Sequence, residues 1–183
     1  KYVGIDEINK LENLGVMYFG ENRVQAFLEK YQKYNGNCKF HMIGTLQPNK
    51  VKYIIDKVDL IHSVDSYSLI KEIEKQANKH NLVMKVLIQV NISKEESKHG
   101  FKVEEIEEVF DTLKNYPHIE VKGLMMMAPN IEAEKTREYF KLTQDLFNQL
   151  KIKYPEYSLT ELSMGMSNDY KIALEYGATM VRI

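Results

Sequence analysis

From one end to the other, the chain alternates short apolar runs with segments whose apolar residues recur every three to four positions. A short apolar run suits a buried strand and the longer period suits an amphipathic helix. Seven runs read as strands, at 16–19, 40–43, 60–63, 83–90, 121–127, 159–162 and 179–183. The spacing predicts helices over 6–14, 22–34, 49–58, 66–79, 103–115, 131–153 and 168–176. Helix 66–79 shows the pattern well: Asp65 or Ser66 serves as its cap, and Leu69, Ile70, Ile73 and Ala77 share one face. Strands alternating with helices argue for a parallel sheet covered by helices. The chain opens on Lys1 rather than methionine and stops at Val181-Arg182-Ile183, so we expect a piece trimmed at both ends. An eighth strand just before Lys1 would complete the count of a (β/α)8 barrel.

The last 23 residues carry the most chemistry. An apolar run to Leu162 leads into a turn with Ser163, Gly165 and Ser167, followed by a helix that stops at Gly177 and a strand reaching Arg182. Hydroxyls and main-chain N–H groups at a helix start make a natural seat for a phosphate. Ser167 also reads as a simple N-cap, and the two roles are compatible.

Composition narrows the function by exclusion. With 183 residues the chain reads as one domain, 1–183, large enough for a sizeable core. Lys and Arg number 25 against 26 Asp and Glu, so no field would hold nucleic acid or an anionic membrane non-specifically. No apolar run approaches the ~20 residues of a membrane helix. A lone cysteine, Cys38, rules out an internal disulfide framework and suits the cytoplasm. There is no P-loop, no G-x-G-x-x-G, no H-E-x-x-H and no paired-cysteine metal site.

Several blocks, in one order, resemble the pyridoxal-phosphate homeostasis family, small proteins related to the barrel domain of alanine racemase. They are Phe19-Gly20-Glu21-Asn22, His41-Met42-Ile43-Gly44-Thr45-Leu46-Gln47-Pro48-Asn49-Lys50, Ile61-His62-Ser63-Val64-Asp65-Ser66, Lys98-His99-Gly100-Phe101 and Gly123-Leu124-Met125. Residues 161–183 match almost residue for residue. The resemblance implies an α/β fold, a TIM barrel of the alanine racemase N-terminal type, with its first strand missing from this chain. It also implies pyridoxal 5′-phosphate (PLP) as the cofactor.

The family's cofactor lysine precedes the glycine of its FGEN block by some nineteen positions, which lands on Lys1 here. By that resemblance Lys1 is the lysine that holds PLP as a Schiff base, which requires an amine that can be neutral near pH 7. Arg182 is placed beside the pyridine nitrogen; a strand-end salt bridge is the competing reading. Ser163, Met164 and Ser167 surround the phosphate turn, and Asn22 either faces the ring or caps a helix. His41 reads as a buried histidine and His62 as a pocket-rim residue. Met125, Met126 and Met127 read mostly as core.

An arginine does not give up a proton to the ring, so the nitrogen stays unprotonated and the ring is a poor electron sink. The resemblance therefore implies a PLP carrier without a dedicated reaction, a monomer or weak dimer with PLP-dependent apoenzymes as candidate recipients. A small alanine-racemase-like enzyme is the alternative. It is disfavoured because racemization needs a second base and an enclosure from a further domain.

Overall fold

The computed structural model describes residues 3–96 and 98–183, so the position assigned to Lys1 lies outside the described residues. The described residues form eight strands: β1 (Tyr18–Glu21), β2 (Lys39–Met42), β3 (Leu60–Val64), β4 (Met84–Asn91), β5 (Phe101–Lys102), β6 (Ile119–Met125), β7 (Glu161–Met166) and β8 (Met180–Arg182). The α-helices are α1 (Ile5–Asn13), α2 (Val24–Tyr31), α3 (Tyr67–Lys79), α4 (Ile106–Leu113), α5 (Arg137–Lys153) and α6 (Tyr170–Glu175). The sheet runs β1-β2-β3-β4-β6-β7-β8 with every pairing parallel, and β5 pairs only with the end of β4. All carboxyl ends of the strands therefore emerge on one side, where a parallel barrel collects its chemistry.

The sheet curls into a nearly closed barrel. Leu60 on β3, Leu87 on β4, Met125 on β6 and Met180 on β8 form one cluster, although β3 and β8 are far apart in the strand order. Only a curved sheet brings them together. The main core lies outside, between sheet and helices, with Phe27, Phe40, Ile70, Ile88, Phe110 and Phe140 essentially inaccessible to solvent. Each such side chain contributes about 1.5–3 kcal/mol by leaving water. Period two along the strands separates the layers: Val86 and Ile88 face the helices, whereas Leu87 joins the interior cluster.

Several expected elements shift, each for a physical reason. The helix expected over 49–58 is a 3-10 helix, Pro48–Tyr53, followed by turns. Its short hydrogen bonds, such as Ile54 N–H to Val51 at 3.0 Å, still bury Val51, Ile54, Ile55 and Val58. β1 runs later than expected because Glu21, although charged, is buried and ion-paired with Lys30 of α2. The strand expected to end at Leu162 continues to Met166. Ser163 and Gly165 look like turn residues in the sequence, yet both are buried, and the Ser163 hydroxyl has partners inside the barrel. The turn falls at 167–169 instead.

Candidate functional site

Two positions beyond the interior cluster on β3 and β8, with one side chain each from β2 and β7, the next inward residues form the site. His62 follows Leu60 on β3 and Arg182 follows Met180 on β8, with Ser163 of β7 between them. His41 Nδ1 lies 3.0 Å from His62 Nε2, and His62 Nδ1 lies 2.9 Å from Ser163 Oγ. Arg182 Nη1 donates to Ser163 Oγ at 2.6 Å, and its Nη2 donates to the Met126 carbonyl at 2.8 Å and the Met127 sulfur at 3.2 Å. A polar chain of four side chains from β2, β3, β7 and β8 thus crosses the barrel interior.

Its electrostatics favour neutral histidines. Burial pushes His62 down to about 2, with His41 and Arg182 adding to the effect. Burial also lowers His41, opposed by Asp59 and Glu161. Arg182 is lowered to about 10 by burial, so it stays protonated at neutral pH. Among the described residues no carboxylate lies at ion-pair distance from it, although the charge of Asp169 acts on it and opposes the effect of burial. Three of the guanidinium's five N–H groups are donated to Ser163, Met126 and Met127, and Nε–H is not among them. A partly buried cation with N–H groups in reserve suits a ligand that offers acceptors or negative charge.

The turn after β7 is closely packed. Gly165 has φ +97°, and a β-carbon there would stand 2.6 Å from Ala173 Cβ and 3.0 Å from Tyr170 Cα. Asp169 Oδ1 accepts from Met166 N–H at 2.6 Å, and Asp169 rather than Ser167 precedes α6 as its N-cap residue. Ser167 and Asn168 are exposed and open onto a cavity of about 610 Å³ that Arg137 also lines. Arg137 is paired with Glu134 and Glu175, so its charge is already engaged.

The structure brings Ser163 and Arg182 into contact and leaves Ser167 at the turn, one strand end away. Met164 is fully buried in the core between sheet and helices, so only its main chain borders the turn. Asn22 is exposed after β1, and its main chain lies where a β-carbon on Gly44 would stand, 2.2 Å from its carbonyl oxygen. The N-cap of α2 is Arg23, not Asn22. His62 is far more buried than a rim residue, and its link to Ser163 joins residues with no local relation in the sequence. Strand parity held the signal: Leu60, His62, Met180 and Arg182 all occupy inward positions.

A parallel barrel whose polar side chains gather at one end of its strands defines a site-bearing (β/α) barrel protein, and comparison with known proteins gives the family. The family model "Alanine racemase, N-terminal domain" matches residues 1–183. A pyridoxal phosphate homeostasis protein of Aquifex aeolicus is 44% identical over 185 residues, covering 100% of this chain and 81% of the relative. The protein of the same name in Escherichia coli is 33% identical over 174 residues, covering 92% of this chain and 74% of its own length. The solved structure of PipY from Synechococcus elongatus, with PLP bound, superposes with a TM-score of 0.91 at 30% identity, covering 100% of this chain and 86% of PipY. The chain belongs to the pyridoxal phosphate homeostasis protein family, within the alanine racemase N-terminal-domain proteins.

Proposed function

We propose that this chain is a single barrel domain, 1–183, that holds PLP for intracellular cofactor homeostasis. The observation that carries the reading is Arg182: a partly buried cation without a carboxylate partner among the described residues, fastened to Ser163 and the Met126 carbonyl with N–H groups in reserve. PLP supplies an aldehyde that condenses with a lysine amine and releases water. Lys1 is that lysine. Arg182 lies beside the pyridine nitrogen and, unable to hand over a proton, leaves it unprotonated.

The phosphate sits at the turn after β7, held by the Ser167 hydroxyl and main-chain N–H groups near Met164 and Gly165, with Asn22 at the opposite rim. Ser163 contributes through Arg182. A ring without a protonated nitrogen is a poor electron sink, so the chain stores and releases the cofactor without a dedicated reaction. It acts in the cytoplasm as a monomer or weak dimer, with PLP-dependent apoenzymes as recipients. Among the described residues no helix is long and apolar enough to cross a membrane.

The test is a visible absorption spectrum with PLP before and after borohydride, followed by peptide mass mapping. A yellow species that borohydride fixes onto Lys1 is expected. A chain that stays colourless with excess PLP would overturn the reading.

A further inference from the structure

Three buried polar side chains ending on a partly buried arginine raise a question that hydrogen counting answers. Arg182 Nη1 has only hydrogens to offer, so Ser163 Oγ must accept from it. The serine hydroxyl then has one hydrogen of its own, and 2.9 Å away stands His62 Nδ1. If Nδ1 carried a proton, two donors would converge on Ser163 Oγ. The Ser163 hydrogen would then be left inside a fully buried residue, at the cost of an unsatisfied donor. If Nδ1 is bare, Ser163 donates to it, and His62 must carry its proton on Nε2. That proton points at His41 Nδ1, 3.0 Å away, which must in turn be bare. Each hydrogen between neighbours in the row finds an acceptor in one arrangement only, running from Arg182 through Ser163 and His62 to His41.

We propose that His62 is a positioning residue for Arg182: as its Nε2-protonated tautomer, it takes the Ser163 hydrogen and so turns the Ser163 oxygen toward the guanidinium. The histidine touches no ligand. It fixes which way the serine hydroxyl faces, and the serine fixes one arm of the arginine while the Met126 carbonyl fixes the other. His41 completes the row as acceptor, with the Tyr18 ring 5.4 Å from its own. The depression of both histidine pKa values by burial agrees with a neutral row ending on one cation.

The inference deepens the PLP reading and rests on it only for the second half of its test. In the ligand-free protein, nitrogen-15 NMR of labelled histidines at pH 7 should show His62 protonated at Nε2 and bare at Nδ1. The opposite tautomer, or a charged ring, would overturn the proposal whatever the protein binds.

With PLP, His62→Leu should weaken binding about tenfold and shift the absorption band of the bound cofactor. His62→Asn, whose amide oxygen stands about where Nδ1 stood, should recover most of both. Adding Ser163→Ala to His62→Leu should cost no further affinity. A His62→Leu protein with wild-type affinity and spectrum would sink the positioning role. If that variant does not fold, His62→Asn decides: a loss as large as that of Ser163→Ala shows that the acceptor is not what matters. Failure of the unmutated protein to bind PLP would instead count against the function and leave the tautomer result standing.

Discussion

His62 and Ser163 stand 101 positions apart in the chain and 2.9 Å apart in the barrel. The contact joins strands that are not neighbours in the sheet, so it exists only when the barrel has curled. The burial of His62 there also makes folding sensitive to acid. The unfolded histidine takes up a proton near its ordinary value of 6.5, whereas folded His62 resists until about pH 2. Below pH 6.5 the unfolded state therefore binds more protons, and stability falls as pH falls, by about 1.4 kcal/mol per pH unit for each histidine kept neutral. Thermal unfolding of the ligand-free protein at pH 7 and pH 5 should show this loss. It should shrink by one histidine's share in His62→Asn, and equal losses in both proteins would remove His62 as the cause.

Removing the hydroxyl at Ser163 leaves His62 Nδ1 and one Arg182 N–H without their partner in a buried setting. Ser163→Ala should destabilise the ligand-free protein by about 1–3 kcal/mol, read as a lower urea midpoint. A neutral outcome would show that water replaces the hydroxyl.

The Glu21–Lys30 pair ties β1 to α2, and Lys30 also donates to the Val3 carbonyl at 3.2 Å. Lys30→Met strands a buried carboxylate and should cost about 3 kcal/mol. Glu21→Gln in the same protein should recover much of it, because no charge then remains unpaired. A double variant as unstable as the single one would mean that the pair holds geometry rather than charge.

Gly165 and Gly177 both adopt positive φ, +97° and +84°, but only Gly165 is crowded. Its β-carbon would meet Ala173 at 2.6 Å, against 3.4 Å to Gln144 at Gly177. Gly177→Ala should cost about 1–3 kcal/mol for backbone strain alone. Gly165→Ala should cost more, and should also weaken PLP binding by displacing the turn. Equal denaturation midpoints for the two variants would refute the close approach.

Arg182→Glu places an acceptor where the cation stood. In the PLP-loaded protein it should raise protonation of the ring nitrogen and shift the visible band. An unchanged spectrum would put Arg182 away from that nitrogen.

Much of the fold was legible because burial writes itself into spacing. Leu69, Ile70, Ile73 and Ala77 predict α3 at the observed place, and Ser66 caps it by accepting from Leu69 N–H at 3.3 Å. Boundaries failed where polar residues are buried. Glu21 and Ser163 look like the ends of apolar runs, and only partners far away in sequence, or one helix further on, keep them inside strands. The two-residue β5 carries too few residues for any period. At the site, Arg182 and Ser163 stood out as residue types, but their direct contact is a product of barrel closure and has no local trace.

Arg182 also has a mechanical side. β8 is three residues long and, among the described residues, pairs only with β7. The guanidinium reaches past β7 to the Met126 carbonyl at the end of β6, so a side chain sews down an outermost strand that its own backbone holds weakly. Ligand recognition and the fastening of that strand therefore draw on the same guanidinium. Occupancy of the site should slow amide hydrogen exchange in β8 well beyond the atoms a ligand touches, and loosening of β8 should in turn hasten release.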